Sequence, residues 1–215
     1  MSESRTVVIT EASSPVGLAT AARLAAGGHL VLMGGRRTHI CEEFAAGLRS
    51  GGAAVFAAHL DLREPLSIDR FMRSADYLVG AVDALVSSAG IADRSWVGAQ
   101  HLVTQLVTPM IDIGRGDVVL LSPELIGASP AGAHRMLDAW VSGLDAEFVG
   151  TGVRASVVRS TGHVPPDDVG RVIAAAICAP DRRHLRVVDL IPPVPASSLA
   201  RRDRRQSTQL RKKLL

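Results

Sequence analysis

Cysteine is scarce. Cys41 and Cys178 are the only two, they lie far apart, and neither belongs to a CxxC pair or stands beside paired histidines. That pattern gives no disulfide framework and no zinc ligand set, so both thiols are expected to be buried. The seven histidines form no HxH or HExxH motif, and no metal site is expected. No apolar run reaches the roughly 18 residues that cross a bilayer, so no membrane span is expected. The first apolar strand begins within a few residues of Met1, which leaves no room for a signal peptide and points to the cytoplasm. Aromatic residues make up 3% of the chain and are absent after residue 195, so that end offers nucleic-acid bases no stacking platform.

Apolar residues, by contrast, are plentiful. With 47% hydrophobic and 21% charged residues among 215, the composition is globular and the length suits one domain with an ample core. The net charge of +3 is unevenly held: residues 196–215 carry +6 and the remainder −3. Residues 1–193 are therefore expected to form the folded domain and 194–215 a basic tail. The tail's expected contact is another subunit rather than nucleic acid.

Periodicity alternates along the domain without an internal repeat. Strands are expected at 5–10, 30–34, 53–58, 82–87, 116–122, 153–159 and 184–190. Helices are expected at 15–27, 38–50, 65–75, 97–112, 130–149 and 166–179. Runs such as Val7-Val8-Ile9-Thr10 and Val118-Val119-Leu120-Leu121 are apolar throughout, as strands are when helices cover both faces of their sheet. The implied fold is α/β, a doubly wound parallel sheet of about seven strands in a single domain. Ser14-Pro15 and Ser129-Pro130 place an N-cap before a proline at the first helical position, and Thr38 and Glu64-Pro65 give similar signals.

Six local motifs, in order, resemble the short-chain dehydrogenase/reductase family over roughly residues 7–193. Thr10-Glu11-Ala12-Ser13-Ser14-Pro15-Val16-Gly17 is similar to its TGxxxGxG turn, and Gly34-Gly35-Arg36-Arg37 to the strand end that reads a ribose 2′-phosphate. Leu60-Asp61-Leu62 resembles its adenine-contacting aspartate motif, Ser87-Ser88-Ala89-Gly90 its NNAG, and Gly152-Val153-Arg154-Ala155-Ser156-Val157-Val158 its GIRVNxV strand. Pro166-Asp167-Asp168-Val169 and the strand before Pro192 are similar to its last helix and strand. The resemblance implies a nucleotide site made of Thr10, Ser13, Ser14, Val16, Gly17, Arg36, Arg37, Asp61, Leu62, Ser88, Ala89 and Gly90. Guanidinium groups match phosphate oxygens in pairs, so Arg36 and Arg37 favour NADP over NAD. Taken without the resemblance, Arg36 and Arg37 also suit a solvated loop, and Asp61 and Ser88 suit ordinary strand-end caps. Glu11 and Pro15 weigh against tight binding, since one adds a carboxylate to the phosphate loop and the other removes a backbone donor.

On the catalytic side the same resemblance implies losses. Counting back from Leu144-Asp145-Ala146-Glu147, similar to the family's LALE, the tyrosine position falls on Pro130 and the lysine position on His134. Val118-Val119-Leu120-Leu121-Ser122-Pro123 resembles VVNISS, with Pro123 at the catalytic serine and Ser122 one place earlier, facing the other way. The family's structural asparagine corresponds to Trp96, and Tyr77, the only tyrosine, is read as a surface residue between the third helix and the fourth strand. Five residues separate Gly90 from Trp96, and little remains between Gly162 and Pro166, so the cleft is expected to be open.

His134 and Asp138, four apart on one helix, form a candidate acid–base pair with Ser122 across the cleft, and a surface or subunit-interface pair is the plainer alternative. The expected function is thus a protein of this fold without the usual hydride-transfer machinery. It would be either a pseudoenzyme or scaffold, or an enzyme repurposed for isomerase- or cyclase-type acid–base chemistry on a small specialised metabolite. The alternative is an NADPH-dependent oxidoreductase, a ketoreductase with a non-standard catalytic site. The expected partner is a second copy or an active relative, paired through helices 97–112 and 130–149.

Overall fold

The computed structural model describes residues 3–88, 95–122, 130–160, 164–179 and 184–191; the side chains of residues 130–134 lie outside that description. Its elements alternate strictly: β1 (Thr6–Ile9), α1 (Pro15–Ala26), β2 (Leu30–Gly35), α2 (Thr38–Ser50), β3 (Val55–His59), α3 (Pro65–Val79) and β4 (Ala84–Ser87). Then follow α4 (Ser95–Ile113), β5 (Gly116–Leu121), α5 (Pro130–Glu147), β6 (Val153–Ser160), α6 (Pro166–Ile177) and β7 (Val187–Leu190). Among the described residues the strands form one seven-stranded sheet, all parallel, in the order β3-β2-β1-β4-β5-β6-β7.

Side-chain alternation along each strand divides the core in two. Val7 and Ile9, Val31 and Met33, Ala84 and Val86, and Val119 and Leu121 face one core, closed by Leu24 of α1, Ala45 of α2 and Ile173 of α6. Val8, Leu32, Leu85, Val118 and Leu120 face the other, closed by Phe71 of α3, Leu102 of α4 and Leu137 of α5. Both faces being covered explains why the strands read as unbroken apolar runs. The strand order reverses between β1 and β4, and such a reversal opens a crevice at the strands' carboxyl ends.

Several boundaries move from the sequence expectation. α3 runs on to Val79 and stops at Gly80, whose φ of 68° suits glycine and ends the helix. Tyr77 therefore lies inside α3 rather than after it, and is 88% exposed. α2 begins at Thr38 with Arg37 as its cap, so Thr38 is not the N-cap; its hydroxyl donates to the Gly35 carbonyl instead. Glu64 precedes α3 but makes no side-chain cap bond. β7 is shorter than expected, and the tail after residue 191 lies outside the described residues. Cys41 is buried as expected, whereas Cys178 is half-buried with its Sγ 3.2 Å from His29 Nε2.

Candidate nucleotide site

The crevice begins at the turn from β1 into α1. Thr10 hydrogen-bonds through its backbone N–H to the Val86 carbonyl, and its hydroxyl accepts from the Ser88 N–H at 3.3 Å, which ties the ends of β1 and β4 together. Ala12 N–H donates to the Gly34 carbonyl, holding the turn against β2. Ser14 has extended backbone and its hydroxyl accepts from the Gly17 N–H at 3.1 Å, with Pro15 at the first helical position. A Cβ on Gly17 would stand 2.7 Å from the Ala12 Cα, so the helix start can press this closely on the turn only with glycine there.

Glu11 sits at the apex of that turn with φ 48°, the only non-glycine in the left-handed region among the described residues. That backbone costs a non-glycine residue roughly 1–2 kcal/mol. Its carbonyl accepts from the Ser14 N–H, and its carboxylate receives the Ser88 hydroxyl at 3.3 Å.

Two cavities of about 310 Å³ each open here. The first lies over the ends of β2 and β3 and takes in Ser13, Ser14, Arg36, Arg37, Asp61, Leu62 and Arg63. Arg37 donates from Nε to the Ser13 hydroxyl and from Nη2 to its carbonyl, both at 3.3 Å. Asp61 is held by Arg63: backbone N–H at 3.0 Å and Nε at 2.9 Å to Oδ1, Nη2 at 2.6 Å to Oδ2. These bonds lower the Asp61 carboxyl from 3.8 to about 2, with Arg36 adding a smaller charge effect, although burial alone would raise it. α4 reaches this cavity through Ser95 and packs against the Leu62 backbone through Gly98, where an added Cβ would lie 1.7 Å from the Leu62 carbonyl oxygen.

The second cavity lies over β4, β5 and β6 and includes Glu11, Ser14, Val16, Ser88, Ser122, Ser160 and Val164. Ser122 is 8% exposed, its N–H donates to the Val158 carbonyl, and its hydroxyl has no hydrogen-bond partner among the described residues.

The structure thus gathers Ser13, Ser14, Arg36, Arg37, Asp61 and Leu62 around one cavity, and Ser14, Val16, Ser88 and Ser122 around the other. Thr10 and Gly17 are buried behind them and shape the turn. Ala89 and Gly90 lie outside the described residues, as do Pro123 and the His134 side chain. Asp138 Oδ1 receives the Arg159 guanidinium, whose other nitrogen reaches Asp189 at 3.3 Å, while the expected pairing with His134 lies outside the described residues. Arg159 extends from the end of β6 and is 17% exposed, so this cation answers the Asp138 charge from the neighbouring strand. Trp96 packs edge-on against Trp140 of α5, with ring centroids 4.6 Å apart. Arg63 and Ser160 were not anticipated; Arg63 could have been found, since a basic residue two positions after a strand-end aspartate can close back on it. Among the described residues no three His, Cys, Asp or Glu side chains converge as a metal site would require. Nor is any described helix long and apolar enough to cross a membrane.

Residues 5–124, more than half of the chain, match the family model described as short chain dehydrogenase. The chain belongs to the short-chain dehydrogenase family. It is 27% identical over 202 residues to a 1-deoxy-11-beta-hydroxypentalenate dehydrogenase of Streptomyces arenae, covering 87% of this chain and 70% of that one. The protein assigned as the ketoacyl reductase of the monensin polyketide synthase in Streptomyces virginiae is 39% identical over 89 residues. That match covers 41% of this chain and 34% of the relative, so it spans about a third of the latter's length. Among solved structures, a metagenomic short-chain oxidoreductase in complex with NADP superposes with a TM-score of 0.77 at 20% identity, covering 88% of this chain and 97% of that one. At that identity the likeness is one of fold.

Proposed function

We propose that this short-chain dehydrogenase family member is an NADP(H)-dependent oxidoreductase of the ketoreductase type, with a proton-handling group other than the family's tyrosine–lysine pair. The observation that carries this reading is the cavity where Arg36 and Arg37 meet the start of α1. Two guanidiniums suit a ribose phosphate, and the first turn of α1 offers N–H groups and a partial positive charge to a further anion. Ser88 and Ser122 supply hydroxyls to the second cavity, with Ala89 and Gly90 continuing the chain beyond Ser88. NADPH, when bound, supplies a hydride to a carbonyl. His134, at the lysine position in α5, is the group proposed to move the accompanying proton. The relatives' names, a ketoacyl reductase and a hydroxypentalenate dehydrogenase, support a small specialised metabolite bearing a ketone or secondary alcohol as substrate.

Thermal-shift titration with NADPH, NADH and adenosine 2′-monophosphate tests the cofactor. Stabilisation by the two 2′-phosphorylated ligands, lost when Arg36 and Arg37 are both replaced by alanine, is expected. No stabilisation by either 2′-phosphorylated ligand would overturn the reading. Consumption of NADPH with a panel of ketones, abolished in His134→Ala, tests the chemistry.

A second reading, a pseudoenzyme that pairs with a copy of itself or an active relative, draws on exposed apolar residues of the two helices expected to pair. Val97 and Ile111 of α4 and Met136 of α5 are 69%, 38% and 47% exposed. A stable dimer in light scattering that binds no nucleotide would favour it.

A further inference from the structure

His29 is 3% exposed, takes no part in the nucleotide site, and stands at the opposite end of the sheet, on the turn that joins α1 to β2. Both nitrogens of its ring are engaged. Nδ1 accepts the Arg5 backbone N–H at 3.1 Å, and Nε2 lies 3.2 Å from the Cys178 Sγ. A backbone N–H can only donate, so Nδ1 carries no proton and the neutral ring holds its hydrogen on Nε2, directed at the sulfur. Three pieces of chain meet at this ring: the entry to β1 through Arg5, the end of α6 through Cys178, and the α1–β2 turn itself. The entry is tied to that turn twice more, because the Ser4 hydroxyl donates to the Gly28 carbonyl and the Leu30 N–H to the Arg5 carbonyl.

The groups around the ring disfavour a second proton on it. Ahead of β1, the Arg5 guanidinium repels an imidazolium while Asp117 of β5 holds it at 2.5 Å. At the end of α6, burial pushes the Cys178 thiol up, so it brings no negative charge to the imidazole. The other charges nearby are matched elsewhere: Arg23 of α1 with Asp167, Arg154 of β6 with Asp117, and Asp83, before β4, with Arg115 and the Thr6 N–H. No carboxylate among the described residues pairs with the ring. Burial first, and then the Arg5 charge, hold His29 below its ordinary 6.5. A proton that does reach Nδ1 points at the Arg5 N–H, donor against donor. One of the two must then move.

We propose that His29 is an acid-operated clasp: neutral, it ties the entry of β1 to the end of α6, and protonated, it releases Arg5 and opens this end of the sheet. The sign follows from the ring. Its stabilising effect is complete above 6.5, where the unfolded chain also leaves the imidazole neutral, and is lost as pH falls from there toward the folded value.

Nitrogen-15 NMR of the histidine rings, titrated from about pH 8 to 5 in the full chain, together with urea unfolding of wild type and His29→Asn over the same range, tests the clasp. Asparagine keeps an acceptor near the Nδ1 position and cannot take a proton. At the start of the titration the His29 ring should carry its proton on Nε2 alone, and its midpoint should lie below 6.5. The Arg5 amide should lose its protection from hydrogen exchange as the ring titrates. Below 6.5 the folded-to-unfolded ratio of wild type should fall relative to His29→Asn by up to about tenfold per pH unit. A neutral ring protonated on Nδ1, a midpoint at or above 6.5, an Arg5 amide that stays protected through the titration, or the same pH dependence in both proteins would each overturn the proposal. Should His29→Asn fail to fold, the tautomer, the midpoint and the Arg5 amide of wild type still decide it.

Discussion

Arg63 grips Asp61 through three donors at once, with Nε and Nη2 on separate carboxylate oxygens and the backbone N–H beside Nε on Oδ1. The Asp61 side chain is 10% exposed and the Arg63 side chain 43% exposed, so the aspartate is buried under a partner that still meets solvent. The pair neutralises the aspartate within a cavity otherwise rich in arginine.

That grip has a pH signature. The folded Asp61 carboxyl titrates at about 2, below its ordinary 3.8, so its stabilising effect is fully present above about pH 4 and fades as pH falls through 2. Because Arg63 is partly exposed, the effect should amount to about 1 kcal/mol. In Arg63→Ala the Asp61 carboxyl should return toward its ordinary value, and carboxyl-carbon NMR titration of both proteins checks it. An Asp61 that stays near 2 without Arg63 would show that some other group holds it.

Glycines at close contacts should behave differently from one in open space. Gly17→Ala and Gly98→Ala bring a Cβ to 2.7 Å from the Ala12 Cα and 1.7 Å from the Leu62 carbonyl oxygen. Each should lose about 2–3 kcal/mol in urea unfolding, because backbone must shift to make room. Gly47→Ala in α2, with nothing within 4 Å of the new methyl, should gain about 0.5–1 kcal/mol from helix propensity.

Ser122 keeps a buried hydroxyl without a partner among the described residues. Removing it in Ser122→Ala should leave stability unchanged or raise it by up to about 1 kcal/mol, since no hydrogen bond is lost and a desolvated polar group is. A fall of that size in the melting experiment would mean that the hydroxyl is satisfied in solution.

Asp117, 4% exposed at the opposite end of the sheet, binds Arg5 at 2.5 Å and Arg154 at 2.7 Å. Arg5 also donates to the carbonyls of Ile177 and Asp83, so one buried carboxylate anchors β5, β6 and the entry to β1. Asp117→Ala leaves two largely buried guanidiniums without their shared anion and should cost about 3 kcal/mol in chemical denaturation, far more than replacing the exposed Glu42 of the Arg49 pair.

The fold was legible because its signals repeat. Apolar strand runs, prolines at helix starts and Ser14 before Pro15 each recur through local physics that tertiary contacts then reinforce. The first cavity was legible for the same reason: Ser13, Arg36 and Asp61 all stand at the carboxyl ends of neighbouring parallel strands, where the topology must bring them together. Partnerships between elements were not. The one-turn spacing of His134 and Asp138 suggests a pair within α5, whereas the contact Asp138 makes with Arg159 of β6 is one that no local spacing encodes. Trp96 was read as a missing asparagine, whereas its role in the structure is to meet Trp140 on the next helix. Thr38 had the chemistry of a cap, yet the cap position fell one residue earlier because β2 runs to Gly35.

Trp96 and Trp140 are the chain's two tryptophans, and they touch each other. Every photon of indole emission from this protein therefore comes from the seam between α4 and α5, with α4 beginning at Ser95 on the rim of the arginine-lined cavity. Without any label, a change in emission or in the aromatic circular dichroism registers a shift of one helix against the other. The proposed ligand cavity and the proposed subunit pairing both involve those helices, so the protein carries an optical gauge at the place where the two events would meet.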